Sequence, residues 1–226
     1  MIPLNDENPT FSTPIVVYAL IALNIVVFLH EMSLGSGLDG FFRLYAVVPQ
    51  ELSASFAGIP TNQPVPEILT LITSQFLHGG FAHIGGNMLF LWTFGDNIEH
   101  DLGHVKFLLF YLVCGILAGL THWFFGMQSA VPTVGASGAI AGVMGAYLIK
   151  YPRAKILTLL PLVIIWTTVR IPAIYFLGFW FVQQAFSSVA SLGMPEAGGV
   201  AYWAHAGGFI FGAILGPALG LMSDRK

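Results

Sequence analysis

Residues 200–222 read VAYWAHAGGFIFGAILGPALGLM. A bilayer crossing takes about 20 mostly apolar residues, and this stretch supplies them without a single Asp, Glu, Lys or Arg. Gly208, Gly212, Gly216 and Gly220 recur every fourth residue and so share one helix face. In lipid, where van der Waals packing drives helix association, a stripe of small residues lets a second backbone come close. His205 lies about one turn in, and ionisable groups at such depth are costly and usually partnered or functional. The segment predicts a membrane helix that packs tightly on a neighbour and carries chemistry near one end.

The neighbour is marked by the same pattern. Gly138, Gly142 and Ala146 keep the four-residue spacing in an apolar segment expected over Ser137 to Tyr151. Two stripes in contact hold the upper ends of their helices together, which brings Ser137 within hydrogen-bond reach of His205. Ser137 follows Gly135, where a loop becomes a helix. The unpaired N–H groups and positive end of such a helix start can stabilise a developing oxyanion. A serine hydroxyl is a poor nucleophile without an adjacent base, and His205 is the best-placed base.

Composition agrees with a lipid solvent. The 226 residues are 56% hydrophobic and 8% charged, where a soluble domain carries about a quarter charged residues. The net charge of −3 comes without any basic run to follow a phosphate backbone, so nucleic acid is set aside as a partner. A single cysteine, Cys114, leaves no disulfide and no Cys-based zinc site.

Six spans are expected: Thr13 to His30, Phe81 to Ile98, His104 to Phe125, Ser137 to Tyr151, Ile171 to Ser188 and Val200 to Met222. Residues 1–12 read as an N-terminal tail, 13–222 as the membrane domain and 223–226 as a second tail. No basic residue or small-residue cleavage site flanks the first span, so a permanent helix is expected there rather than a signal peptide. The long connection from Glu31 to Leu77 is apolar and broken by Pro49, Pro60, Pro64 and Pro66, which suits the membrane interface. The stretch Ile156 to Val169, β-branched and interrupted by Pro161, reads as a membrane-associated hairpin, with a seventh span as the alternative. The expected class is an all-α polytopic bundle of six transmembrane helices with a long membrane-associated first loop. With an internal N-terminus, Lys106, Lys150, Arg153, Lys155, Arg170, Arg225 and Lys226 fall on the cytoplasmic side and Arg43 outside, a strong positive-inside bias.

That topology puts His83 and Asn87, which share a helix face at i, i+4, in one layer with Ser137 and His205 just below the outer surface. Singly these residues read as an N-cap, a core histidine and interhelical polar glue. Asn24 reads as such glue too. Four polar residues from three helices at one depth read instead as a site.

Three motifs here resemble the rhomboid family of intramembrane serine proteases. They are His83-Ile84-Gly85-Gly86-Asn87, Gly135-Ala136-Ser137-Gly138 and Ala204-His205-Ala206-Gly207-Gly208, and their order, spacing and depth match over about Pro66 to Gly220. The resemblance implies a rhomboid-like six-helix bundle and a Ser–His dyad without a carboxylate, a cofactor or a metal. Ser137 would be nucleophile and His205 general base and acid. His83, Asn87 and the Ser137 N–H would form the oxyanion hole. Gly135 and Gly138 would support the site, and His78 would be structural or water-supplying. No Asp or Glu is expected near that layer.

Substrates by resemblance are transmembrane proteins cut near small or helix-breaking residues by the outer face. The alternative is a catalytically silent relative that binds transmembrane helices. A metal site on His78, His83 and His205 lacks a His-Glu-x-x-His motif, and one polar layer does not make a channel. Two positions depart from the pattern. Ala141 stands where many members carry an aromatic that stacks on the histidine, so Tyr202, Trp203 or a backbone carbonyl is expected to orient His205. Leu69-Thr70 replaces a Trp-Arg pair. The loop Ala190 to Gly199 is a candidate lid, and the fifth span, with Phe176, Phe179, Trp180, Phe181 and Phe186, a candidate lateral gate. By analogy, the setting is a prokaryotic inner membrane with both termini cytoplasmic.

Overall fold

In the computed structural model, residues 1–60, 63–162, 165–191 and 201–223 are described. Strand β1 (Ile2–Asp6) leads to helix α1 (Ile15–Ser33), entered at Pro14, whose missing N–H costs nothing ahead of a first turn. The first turn is closed from another helix: the buried Glu99 carboxylate accepts the Val16 and Val17 N–H groups at 2.8 Å each. Its negative charge also suits the positive helix end.

The connection after α1 folds into short helices α2 (Leu38–Tyr45), α3 (Pro49–Phe56) and α4 (Glu67–Thr73). It is tied to the segment ahead of Ser137. Val47 and Thr133 exchange both backbone hydrogen bonds, at 3.1 and 2.8 Å, and the Gly135 N–H donates to Ser74 O at 2.9 Å. Helix α5 (Phe81–Leu102) turns at Gly103, with φ of +78°, into α6 (His104–Phe125). Helix α7 (Ser137–Lys150), strands β2 (Lys155–Leu162) and β3 (Ile165–Pro172), and helices α8 (Ala173–Ala190) and α9 (Tyr202–Ala218) follow.

Among the described residues, α1, α6 and α8 are long and apolar enough to cross a membrane. Helix α7, with 14 residues, is shorter than a bilayer crossing demands, but every residue from Gly138 to Tyr147 is buried. A helix shielded all round by protein needs no lipid-facing surface of its own. Helices α5, α6, α8 and α9 pack around it, and Phe94, Phe107, Tyr111 and Phe176 fill the core with its own Tyr147.

The two small-residue stripes meet in register. A Cβ on Gly208 would lie 2.1 Å from Gly138 O, one on Gly212 1.9 Å from Gly142 O, and one on Gly216 3.0 Å from the Ala146 Cβ. Gly220 is not part of the stripe. It lies past the end of α9 at φ +97° and turns the chain.

Two expectations are corrected. The class is not purely α, because β1, β2 and β3 form an antiparallel sheet in that order. Residues 2–6, read as part of a tail, are its edge strand. The hairpin expected over Ile156 to Val169 is present, paired from Lys155↔Pro172 to Leu162↔Ile165, and the seventh span that was its alternative is not. Pro161 disfavours a helix there, and Ile156, Thr158, Thr167, Thr168, Val169 and Ile171 are β-branched and favour strands. Asn24 is no interhelical glue either, since its amide donates to Leu20 O of its own helix at 2.7 Å.

Candidate active site

Helix α7 makes its first internal bond from the Ile140 N–H to Ala136 O, at 3.0 Å. The N–H groups of Ser137, Gly138 and Ala139 therefore have no partner within the helix and emerge at its N-terminus. The chain reaches that start through Gly135 at φ +128°, a conformation L side chains rarely adopt. Space demands glycine there as well, because a Cβ would sit 2.7 Å from His83 Nε2 and 3.5 Å from Ser137 Oγ.

His205 Nε2 lies 2.8 Å from Ser137 Oγ, and its Nδ1 lies 2.8 Å from Gln184 Oε1. A carboxamide oxygen only accepts, so Nδ1 carries the ring proton and bare Nε2 accepts the Ser137 hydroxyl. The Trp180 ring stands 5.9 Å from the His205 ring, centroid to centroid, tilted by 35°. The aromatic neighbour missing at Ala141 is thus supplied by α8. Trp203, one of the expected orienting residues, stacks on Phe125 at 3.6 Å instead.

The same logic fixes His83. Its Nδ1 accepts the Gly79 N–H at 3.3 Å, so Nε2 is the protonated nitrogen, and Nε2 faces the space kept open by Gly135. Asn87 donates from Nδ2 to His78 Nε2 at 2.9 Å. The His78 backbone N–H donates to both Glu31 carboxylate oxygens, at 3.2 and 3.3 Å. His78 therefore stands behind Asn87.

These groups border a cavity of about 500 Å³. Its polar part is His83, Asn87, Ser137 and His205, and Phe90, Ile140, Met144 and Trp180 give it an apolar wall. All four polar residues expected in one layer are brought together. Gly138 serves packing: a Cβ there would meet the Ala118 Cβ at 2.6 Å. Among the described residues, no three His, Cys, Asp or Glu side chains form a group able to hold a metal ion.

Two polar residues went unrecognised in the sequence. Gln184 is a buried amide inside an apolar span, one turn from Trp180 on the same helix face; its polarity alone was the available signal. Glu31 corrects the expectation of no acid near this layer. Helix α1 runs to Ser33 rather than His30, which carries Glu31 inside as its last turn. The proposed lid lies almost entirely on residues 192–200, outside the described residues.

The fold and site define a membrane protein of apolar helices with a close Ser–His pair beside oriented N–H donors on a half-open cavity. The chain belongs to the rhomboid family, whose Rhomboid domain model matches residues 65–221. It is 33% identical over 207 residues to "Rhomboid protease GluP" of Bacillus subtilis (strain 168), a match covering 85% of this chain and 37% of that protein. It is 31% identical over 146 residues to "Rhomboid protein 1, mitochondrial" of Saccharomyces cerevisiae, covering 62% and 38%. To "Presenilin-associated rhomboid-like protein, mitochondrial" of Homo sapiens it is 28% identical over 162 residues, covering 67% and 38%. The chain thus spans well under half the length of these relatives, which come from a bacterium and from mitochondria.

Proposed function

We propose that the chain is an intramembrane serine endopeptidase that hydrolyses peptide bonds in or near transmembrane segments of other membrane proteins, close to the outer face. The observation that carries this is the 2.8 Å contact from Ser137 Oγ to His205 Nε2, with Nδ1 already engaged. Ser137 Oγ attacks the peptide carbonyl carbon while its proton passes to His205 Nε2. The oxyanion accepts hydrogen bonds from the Ser137 N–H, His83 Nε2–H and the Asn87 amide. His205 then gives its proton to the leaving amine. Water, deprotonated by His205, cleaves the ester and returns Ser137 to its starting state.

A peptide bond within a helix is hydrogen-bonded and shielded, so the substrate segment must unwind to enter the cavity, most readily near small or helix-breaking residues. Helix α8, with Phe179 and Phe186 exposed on its outer side, is the proposed lateral gate, and residues 190–199 are the proposed lid. The bundle is proposed to cross the membrane six times, with its first connection at the interface and both termini cytoplasmic, in a prokaryotic inner membrane. The positive-inside bias supports that orientation. Contacts at one end of the bundle support it too: Arg170 pairs with Glu7, and Lys106 Nζ donates to Leu219 O at 3.0 Å.

The chemical test is labelling of purified protein with a fluorophosphonate, which traps an activated serine. Labelling at Ser137 that is lost in His205→Ala and unaffected by chelators is expected. An unlabelled wild type that still binds transmembrane peptides would instead mark a catalytically silent helix-binding protein.

A further inference from the structure

Gln184 sits past the middle of α8, buried, in a mostly apolar helix whose adjacent Gln183 is exposed. Ordering a polar amide in such a place is unfavourable unless it is satisfied. Its Oε1 lies 2.8 Å from His205 Nδ1, on the side of the ring opposite the serine. One turn earlier on the same face, Trp180 stands against the same ring. The two side chains hold the imidazole from one helix, by a hydrogen bond in the ring plane and an apolar surface beside it.

We propose that Gln184 is the positioning residue for His205: it fixes the Nδ1–H tautomer and the ring orientation that leave Nε2 bare for Ser137. This rests on the proteolytic role of the Ser137–His205 pair. The chemistry explains the choice of an amide. In serine hydrolases built on a triad, a carboxylate takes this place, orients the ring and stabilises the imidazolium. A carboxylate deep in an apolar bundle would carry a heavy desolvation cost. A neutral carboxamide oxygen supplies the same directional acceptor without burying a charge. The cost is weaker stabilisation of the protonated base, so orientation is its main contribution.

Geometry adds a consequence. Both groups that align the base belong to α8, and α8 meets the rest of the site along α9, where Trp180 and Phe181 pack on Phe209. A displacement of α8 that opened the cavity sideways would withdraw Gln184 Oε1 and the Trp180 ring together. The base is aligned only while α8 is docked.

The test compares wild type, Gln184→Met, Gln184→Glu and Ser137→Ala on one transmembrane substrate in liposomes, with kcat, KM and the pH profile measured for each. Gln184→Met keeps the volume and removes the acceptor. Its kcat is expected to fall about 10- to 100-fold with KM little changed, as for loss of part of a general-base contribution. Gln184→Glu restores the acceptor and adds charge, which favours the imidazolium. Most of the kcat should return at high pH, and the acid limb of the profile should move to higher pH. A role confined to helix packing would not move that limb.

A Gln184→Met enzyme with wild-type kcat, or a Gln184→Glu enzyme with an unshifted acid limb, overturns the proposal. If Gln184→Met unfolds below the assay temperature, the acid limb of Gln184→Glu decides alone. Cleavage that survives Ser137→Ala sinks the proteolytic role instead, which keeps the two failures apart.

Discussion

At the scale of single residues, Gly135 shows how tightly the site is drawn. Its φ of +128° and the 2.7 Å gap between a would-be Cβ and His83 Nε2 are independent demands for a missing side chain. Gly135→Ala is expected to cost about 1–3 kcal/mol of stability through backbone strain. It should also lower kcat by pushing His83 out of line with the oxyanion, which thermal unfolding and turnover measured together will check. Ser137 and His205 were legible in the sequence because each is an anomaly: a serine at a helix start behind a glycine, and a histidine in an uncharged span. Gln184 is equally anomalous, but its role depends on the rotation of α8 about its own axis, which the sequence does not reveal with Gln183 beside it and apolar residues on every face. Glu31 was hidden by a helix end placed three residues early.

At the scale of elements, two contacts govern the rest. The first is α7 against α9. Gly212→Val would drive a side chain into Gly142 O, only 1.9 Å from the Cβ position, and neither backbone can yield. Overpacking of this kind costs about 1–3 kcal/mol or more. We expect a lower unfolding midpoint and loss of activity together, because the same contact sets the Ser137–His205 distance. Gly40→Ala, where a Cβ meets nothing within 4 Å, should leave both unchanged.

The second contact is β1 against the C-terminal parts of α5 and α7. Asp6 accepts hydrogen bonds from the Tyr147 hydroxyl and, at 3.0 Å, from Asn97 Nδ2. Burial pushes its carboxyl from an ordinary 3.8 up to about 6, with the Tyr147 bond opposing the rise and the Asp96 charge adding to it. The folded state therefore holds this proton more tightly than the unfolded chain does. The associated stability is fully present below about pH 4 and is lost as pH rises through about 6. Across that window the unfolding midpoint of wild type should fall relative to that of Asp6→Asn, and parallel curves would contradict the assignment. The strand that carries Asp6 escaped the sequence because β1 is only five residues long and finds its partner some 150 residues later. The hairpin was visible in its β-branched residues and Pro161.

At the scale of the whole molecule, lipid accounts for the composition and the buried polar layer accounts for its exceptions. The helical organisation was legible because apolar length is a strong signal. The short central helix shows where that signal weakens, since α7 has only 14 residues and is screened by protein rather than facing lipid. Reporter fusions test the proposed topology. A cytoplasmic reporter should be active at the C-terminus, and a cysteine placed beside Arg43 should react with an impermeant reagent from outside; the reverse pattern would invert the bundle and move the site to the inner face.

Cleavage itself is the most direct measurement. Purified protein should be reconstituted with a model single-span substrate, and wild type compared with Ser137→Ala and His205→Ala. Cleavage by wild type within or beside the span, abolished in both variants although they fold and bind substrate, is the expected result. Equal cleavage by wild type and Ser137→Ala would contradict it.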